Sequence, residues 1–404
     1  MKDNISKVHD IMKFTGITCW LLYTDEHSDP YFSNIISDKL IVPSIAIITD
    51  SKCYLIVNSL DADNFKIYEG IEISIYSKSS DMWEQVYNII SKEGFPAEIN
   101  LNYSTFNDAQ VDVLGHGIYL YLTEQLHSYY KCNSKEVEFR SAEKILYAYF
   151  DRKNLDDITK MKIAAARALE ILEVAFSNLR TGMTEMDVVT LVHNIMTESP
   201  CVHDQVIKED FSWNKDYCPV VLSGPSFVKG GHAMPSDLVL EPGYTIYFDF
   251  GVTLTFTDGS KWSSDIQRMG YILAENESEP PQSVKKMFNT LVTAIEKGIK
   301  HIKPGMKGYE VDKIVRSYIT EAGYPDYDHS TGHAIGELAH NPGALLGPEG
   351  RSLANLELQP NGVYTIEPRI PIINGGSIEE MVHVTYEGGV PLCTPQKDLY
   401  LIRS

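Results

Sequence analysis

The sequence predicts an α/β (α+β) protein of two domains, and three observations support this fold class. Segments of helical and strand periodicity alternate from the start of the chain to about residue 149. A charged segment at 151–154 then precedes a long helical pattern, as expected at a domain boundary. Beyond it, residues 178–198 can be aligned with residues 301–321 without a gap. We therefore expect a first domain at 1–153 and a second at 154–404, built from two similar halves.

Composition and charge exclude several classes of function. The chain has 404 residues, 43% hydrophobic and 22% charged, with a formal net charge of -20 and a pI near 5.0. This acidic balance argues against binding nucleic acid or anionic lipid through a basic surface. The N-terminus lacks the continuous apolar run of a signal peptide or membrane anchor. Six scattered cysteines without a C-x-x-C pair are typical of reduced thiols, so we expect a cytoplasmic enzyme.

The first domain has the elements of a small α/β fold. Apolar residues at helical spacing, closed by Gly16, predict an N-terminal helix, and a strand follows it. The runs 44–50 and 53–59 flank a short turn and predict a β-hairpin. Amphipathic helices are predicted over 81–94 and 110–126. We identify no pattern of catalytic or ligand residues in this domain.

The second domain contains the internal repeat. In the alignment Gly182 matches Gly305, Met183 matches Met306, and the similarity continues to the end of both copies. Each copy follows a long helical segment and precedes strand-like sequence. This pattern predicts two helix–helix–strand halves related by a pseudo-two-fold axis, with a site where their sheets meet.

The segment 247–268 holds the first candidate site residues. Two β-branched and aromatic runs joined by Asp-Gly at 258–259 predict a hairpin, with Asp249 on its first arm and Asp265 on its second. Because strands disfavour aspartate, a carboxylate on each arm indicates a shared cation. The alternative, in which both carboxylates point to solvent beside basic residues of the second arm, stays open at this point.

A glycine-rich stretch supplies candidate histidines. His329, His333 and His340 lie within it, and the glycines on either side of His333 leave space for a ligand. Three histidines in such a stretch favour ligation or catalysis over a purely structural role. His383, in contrast, lies in an apolar strand and is expected to be packed in the core.

Two glutamates complete the candidate set. Glu367 ends one apolar strand and Glu379 begins another, and a carboxylate that interrupts a β-branched strand is costly unless it is paired. Glu380, which follows Glu379, is expected to point to the opposite face of the strand and to be solvated. Two aspartates, two glutamates and one imidazole favour a pair of divalent ions, Mn, Co, Fe or Zn, over a single structural zinc. Such a pair supports hydrolytic chemistry.

The chain resembles the pita-bread metallohydrolases, which comprise methionine aminopeptidase, aminopeptidase P, prolidase and creatinase. The resemblance covers nearly the whole chain and implies a creatinase-like N-terminal α/β domain followed by a pseudo-two-fold pita-bread domain. It rests on the motifs FDFG, SSDIQR, GHAIG, TIEP and SIEEMVHVT. By these motifs it places the metal ligands on Asp249, Asp265, His333, Glu367 and Glu379.

The resemblance also implies catalytic roles. His232 and His340 would hold the substrate and stabilise the tetrahedral intermediate, while Glu367 would carry a proton from the bridging water to the leaving nitrogen. The implied activity is a dinuclear metal-dependent Xaa-Pro peptidase of the prolidase or aminopeptidase P type, acting on dipeptides or short peptides. The implied assembly is a homodimer in which the N-terminal domain of one subunit covers the active site of the other.

Two alternatives remain at the level of sequence. One is a non-peptidase, creatinase-like C–N hydrolase, and the other is a catalytically inactive binding protein of the same fold. Relatives that have lost catalysis typically lack ligands, whereas all five ligand positions are filled here, which argues against the inactive protein.

The chain departs from the family pattern at two places. Asp249 and Asp265 are 16 positions apart, which indicates an insertion of about five residues in the hairpin. The family has glycine after Glu-Pro and arginine before Ile-Glu, where this chain has Arg369 and Ser377. The exchange indicates either a relocated guanidinium or a changed substrate pocket.

Overall fold

Residues 2–64, 70–229 and 233–403 are described by a computed structural model of the chain. The chain divides into two compact units, Met1–Tyr149 and Phe150–Ser404. The division falls just before the charged segment at 151–154. Among the described residues, each helix is either too short or too polar to cross a membrane.

The first unit is built around a six-stranded sheet. Its strands are β1 (Cys19–Thr24), β2 (Ser44–Thr49), β3 (Cys53–Asn58), β4 (Ile71–Tyr76), β5 (Glu98–Leu101) and β6 (Glu138–Ser141). Its helices are α1 (Lys2–Thr15), α2 (Pro30–Ile35), α3 (Ser79–Lys92), α4 (His116–Cys132) and the first part of α5 (Glu143–Asp151). The order of strands across the sheet is β4-β3-β2-β1-β5-β6. The three central strands are fully buried, which explains their continuous apolar runs.

Two sequence predictions for this unit have different outcomes. The predicted hairpin is confirmed, because β2 and β3 pair antiparallel with Ile48 opposite Cys53. The helix predicted over 110–126 is wrong over its first six residues, 110–115, since α4 begins only at His116. Gly115 before it has an extended backbone, and the Leu114 N–H donates to the carbonyl of Asn102. Because the Leu114 N–H pairs with Asn102, it is not available for a helical hydrogen bond, and this segment is a loop.

In its described residues, the second unit contains four further α-helices and fourteen strands. The helices are α6 (Leu155–Asn178), α7 (Glu185–Glu198), α8 (Gln282–His301) and α9 (Gly308–Glu321). The strands are β7 (Val206–Phe211), β8 (Val220–Ser223), β9 (Thr245–Phe250), β10 (Val252–Phe256), β11 (Lys261–Ser263), β12 (Ile266–Ile272), β13 (Gly332–His333), β14 (Leu345–Leu346), β15 (Val363–Ile366), β16 (Arg369–Ile370), β17 (Gly376–Ser377), β18 (Glu380–Thr385), β19 (Gly388–Pro391) and β20 (Tyr400–Ile402).

The predicted internal repeat is confirmed in the elements and in the turns between them. The helix pairs α6–α7 and α8–α9 each end in a helix of 14 residues. In the turn between the helices, Gly182 has φ 87° and Gly305 has φ 83°, a conformation that glycine adopts without strain. The Gly182 N–H donates to the carbonyl of Leu240, and the Gly305 N–H donates to that of Leu358. Equivalent residues thus tie each helix pair to the chain that follows it.

The two halves meet where their sheets adjoin. The first sheet, β20-β12-β9-β8, takes β8, β9 and β12 from the first half and its edge strand β20 from the end of the chain, and it is covered by α6 and α7. The second half contributes β15-β18-β19, covered by α8 and α9. A backbone bridge between Gln267 on β12 and Glu379 joins the two sheets. Asp249 of the first half and Glu379 of the second therefore lie on either side of Gln267, each paired with its backbone.

The hairpin predicted at 247–268 is present but consists of four strands. β9 pairs with β12, and β10 pairs with β11 around a turn at 257–260. Gly251 interrupts the first arm, because a Cβ there would lie 1.9 Å from the carbonyl oxygen of Ser264. The second arm breaks opposite it, so Asp265 lies between β11 and β12 and not within a strand as predicted. The β10–β11 extension pairs with β7 in a separate sheet.

Candidate metal centre

The structure brings the five predicted ligands together at the junction of the two halves. Asp249 lies on β9 and Asp265 just before β12, in the first half. His333 lies on β13, Glu367 directly after β15 and Glu379 directly before β18, in the second half. All except Glu379 line one cavity of about 920 Å³. Glu379 is buried next to them, with 1% of its surface exposed.

The potential ligand atoms of these residues form overlapping groups. Each residue of a group offers one potential ligand atom, and these atoms all lie within 4.8 Å of one another. The groups are Asp249, Asp265 and Glu379; His333, Glu367 and Glu379; and Asp265, His333 and His340. The first two groups share Glu379 and together contain all five predicted ligands. Two neighbouring cation positions with a common carboxylate fit this arrangement.

The orientation of His333 suits a ligand. Its Nδ1 lies 3.1 Å from the carbonyl oxygen of Ala334, and because a carbonyl only accepts, that nitrogen carries the proton in the neutral ring. The lone pair is then on Nε2, which lies 3.7 Å from Asp265 Oδ2 and 3.6 Å from Glu367 Oε1. A backbone carbonyl on the far nitrogen is the usual support of a metal-bound imidazole.

The buried acids lack enough hydrogen-bond donors for their charge. Among the described residues, Asp265 Oδ1 and both carboxylate oxygens of Glu379 are buried without a hydrogen-bond partner. Burial raises the pKa of Asp249 to about 7. Burial, followed by repulsion between neighbouring carboxylates, raises the pKa values of Asp265, Glu367 and Glu379 well above their ordinary range. Such a cluster can ionise fully only with a cation in its midst, so the donor set fits divalent metal.

The remaining histidines are placed differently from one another. His340 lines the cavity, is exposed, and has its ring centroid 4.3 Å from that of His333. His329 also lines the cavity, and burial lowers its pKa to about 4. His383 lies on β18 at 9% exposure, 3.0 Å from Asn361 Oδ1 and apart from the ligand groups. His232, predicted to contact substrate, lies outside the described residues.

The expectation that Glu380 is solvated is wrong. It is 1% exposed and forms an ion pair of 3.0 Å with Arg268, which is itself fully buried. Arg268 also donates to the backbone carbonyl of Glu379, at 2.8 Å. Alternation places Glu380 on the opposite face from Glu379, but that face is covered too, because α8 packs against β17 and β19. The solvated alternative fails for Asp265, which is 4% exposed, and Arg268, one of the two bases it invoked, pairs with Glu380 inside the protein.

Sequence reasoning missed one residue of the cluster, Gln267. Its amide Nε2 donates to Asp249 Oδ2 at 3.3 Å and to Glu367 Oε2 at 3.2 Å. The available signal was its spacing of two residues from Asp265, which on an extended chain places both side chains on one face. The aromatic side chains of Trp213 and Tyr217 also line the cavity and were not predicted.

The exchange of glycine and arginine in the motif has a geometric explanation. Arg369 and Ser377 are directly opposite each other in the β16–β17 ladder. A guanidinium at position 369 therefore lies on the same face of the ladder as one at position 377 would. Arg369 lines the cavity and donates to the carbonyls of Phe227 and Lys229, both at 2.9 Å.

Comparison with known proteins places this geometry in a family. The sequence signature of metallopeptidase family M24 matches residues 159–386, more than half of the chain. The putative dipeptidase YkvY of Bacillus subtilis is 32% identical over 271 residues, 66% of this chain and 66% of that protein. The match therefore spans slightly less than two thirds of that relative's length.

Solved structures share the fold over the full chain. The Xaa-Pro dipeptidase from Bacillus anthracis matches with a TM-score of 0.66 at 24% identity, over 99% of both chains. The dipeptidase PepE from Mycobacterium ulcerans matches with a TM-score of 0.71 at 19% identity, over 100% of this chain and 98% of that one. The predicted architecture of an N-terminal α/β domain and a pita-bread domain is confirmed. Since the family signature covers more than half of the chain and agrees with this fold, the protein belongs to metallopeptidase family M24, the pita-bread family that its motifs predict.

Proposed function

We propose that this protein is a dinuclear metal-dependent Xaa-Pro peptidase of the prolidase or aminopeptidase P type. The observation that carries the proposal is a cluster of four carboxylates, two buried and two half-buried, and one imidazole, whose potential ligand atoms lie within 4.8 Å of one another in overlapping groups beside an open cavity. Membership of a metallopeptidase family supports the divalent ions. The names of the relatives support a dipeptide or short peptide as substrate.

Each site residue has a proposed role. Asp249, Asp265, His333, Glu367 and Glu379 hold two divalent ions, Mn, Co, Fe or Zn. Bound there, the ions would lower the pKa of a water between them and polarise the scissile carbonyl. Glu367, at the cavity wall, takes a proton from the attacking water and delivers it to the leaving nitrogen. His340, on the same wall, donates to the carbonyl oxygen as negative charge develops, and His232 is assigned a similar contact from its motif alone.

The metal assignment is tested by ligand substitution. Asp265→Ala and Glu379→Ala each remove a carboxylate from a ligand group, so elemental analysis of the purified variants should show less bound metal than the wild type. The matched control is Asp258→Ala in the β10–β11 turn, whose carboxylate pairs with Lys160 outside the ligand groups. Wild-type metal content in both site variants would contradict the assignment.

The substrate is tested on stripped protein reloaded with each metal. Hydrolysis of Gly-Pro identifies a dipeptidase, and hydrolysis of Arg-Pro-Pro identifies an aminopeptidase. Cleavage of another C–N bond with neither peptide cleaved would favour the creatinase-like alternative. Metal binding without any hydrolysis would favour the inactive binding protein.

The proposal includes a homodimer in the cytoplasm, as the family resemblance implies. All six cysteines are free thiols, which suits a reducing compartment. Light scattering over a range of concentrations tests the assembly, and a mass of one chain throughout would contradict the dimer.

A further inference from the structure

Gln267 contacts members of the candidate metal cluster from both halves of the domain, although no motif assigns it a role. On β12 its backbone pairs with Asp249 of β9 on one side and with Glu379 on the other. Residues directly opposite in a ladder present their side chains to the same face. Gln267 is therefore flanked by a candidate ligand from each half of the domain.

The side chain of Gln267 links two further carboxylates. Its Nε2 donates to Asp249 Oδ2 at 3.3 Å and to Glu367 Oε2 at 3.2 Å. In the ionised form that binds metal, carboxylates only accept hydrogen bonds, so the amide presents its two N–H groups to these two acids. The residue is 4% exposed, and within the described part of the chain its Oε1 has no hydrogen-bond partner. The NH₂ contacts thus favour the observed orientation of the amide over the flipped one.

These contacts have a consequence for metal binding. Each donated hydrogen bond uses lone pairs on one carboxylate oxygen and so fixes the rotation of that carboxylate. Asp249 belongs to one ligand group and Glu367 to another. The neutral amide of Gln267, which contacts both Asp249 and Glu367, sets the separation of the two ligand groups without adding charge to the cluster. Groups that orient metal ligands in this way usually contribute strongly to affinity.

We propose that Gln267 is a positioning residue of the metal centre, which holds Asp249 and Glu367 in register so that both ligand groups are formed before the ions bind. This inference rests on the proposed function, since it takes the cluster to be the metal site. The residue itself acts through the two carboxylates and not on the substrate.

The test substitutes Gln267→Met, which keeps the length of the side chain and removes both donors. Calorimetric titration of metal-stripped protein with Mn²⁺ should give an affinity weaker by about 10- to 100-fold than that of the wild type. The kcat measured at limiting Mn²⁺ should fall with it and recover in excess Mn²⁺, since the catalytic groups are unchanged.

The matched control is Gln396→Met. Gln396 is a similarly buried glutamine, 7% exposed, whose amide donates to the carbonyls of Met269 and Asp398 and which is no member of the ligand groups. The Gln396→Met variant also loses two buried hydrogen bonds, so it reports general destabilisation, and it should keep wild-type Mn²⁺ affinity. If Gln267→Met fails to fold, Gln267→Asn serves instead, because its shorter amide cannot span both carboxylates.

The outcomes separate this inference from the proposed function. Unchanged or tighter Mn²⁺ binding by the Gln267 variant overturns the positioning role. Equal weakening in the Gln396 control also overturns it, because the effect would then be general destabilisation. Wild-type protein that binds no Mn²⁺ overturns the proposed function itself.

Discussion

His333 and His340 both line the cavity, with ring centroids 4.3 Å apart, but their surroundings favour different roles. The imidazole of His333 is held by the Ala334 carbonyl and faces two candidate ligands, whereas His340 is exposed at the cavity wall. A ligand acts in the ground state, while a donor to the substrate oxygen acts mainly in the transition state.

We predict that His333→Ala loses metal and activity together, and that His340→Ala keeps its metal while kcat falls by about 100-fold or more. Metal analysis and steady-state kinetics on an Xaa-Pro substrate measure both effects. His383→Ala is the control, because that ring contacts Asn361 apart from the cluster and should leave metal content unchanged. Loss of metal from His340→Ala would instead make His340 a ligand, as its proximity to Asp265 and His333 permits.

At the scale of elements, the break in the hairpin positions the two aspartates. Ser264 accepts a hydrogen bond from the Val252 N–H on its Oγ, at 2.9 Å, and its carbonyl fills the place of a side chain on Gly251. The arms therefore approach closely at Gly251 and Ser264, two residues after Asp249 and one residue before Asp265. The strands β10 and β11 and the turn between them lengthen the hairpin beyond this point, and Asp249 and Asp265 still belong to one ligand group.

Gly251→Ala should disrupt this approach. Its Cβ would lie 1.9 Å from the Ser264 carbonyl oxygen, so the arms must separate and Asp265, next in the chain, must move. We expect a loss of about 1–3 kcal/mol in the free energy of unfolding, together with weaker metal binding. Urea denaturation and metal titration measure the two effects. Gly350→Ala is the control, since nothing lies within 4 Å of a Cβ there; equal metal affinity in both variants would refute the role of the close approach.

At the scale of the whole molecule, the unsatisfied acids make the stability of the metal-free protein depend on pH. The pKa of Glu379 is raised by burial and by neighbouring carboxylates, so the folded state holds a proton that the unfolded chain releases above its ordinary pKa. The free energy of unfolding therefore falls as pH rises above the ordinary pKa of glutamate. It stops falling only when pH exceeds the raised pKa of Glu379 in the folded protein. Cations bound at the proposed site would remove the penalty by stabilising the ionised form.

Glu379→Gln isolates this effect, because the other titrating groups are common to both proteins. In metal-free samples the variant should gain stability over the wild type as pH rises from about 5.5 to 8, by at most about 1.4 kcal/mol per pH unit. Urea denaturation at several pH values measures the difference. Saturating Mn²⁺ should reverse its sign, since only the wild type keeps both ligand groups complete. A difference independent of pH would show that Glu379 ionises normally in the folded protein.

The sequence by itself determined most of the elements and the candidate ligand residues. Gly182 and Gly305 marked the repeat because a left-handed turn needs glycine, and Asp249, Glu367 and Glu379 were conspicuous because strands reject unpaired carboxylates. Only the tertiary structure decided that Glu380 is buried against Arg268 and that Gln267 joins two ligand groups. Strand periodicity tells which face a side chain takes, but what covers that face comes from elements distant in the chain. Gln267 reaches Glu367 across 100 positions of sequence, and only the meeting of the two halves makes them neighbours.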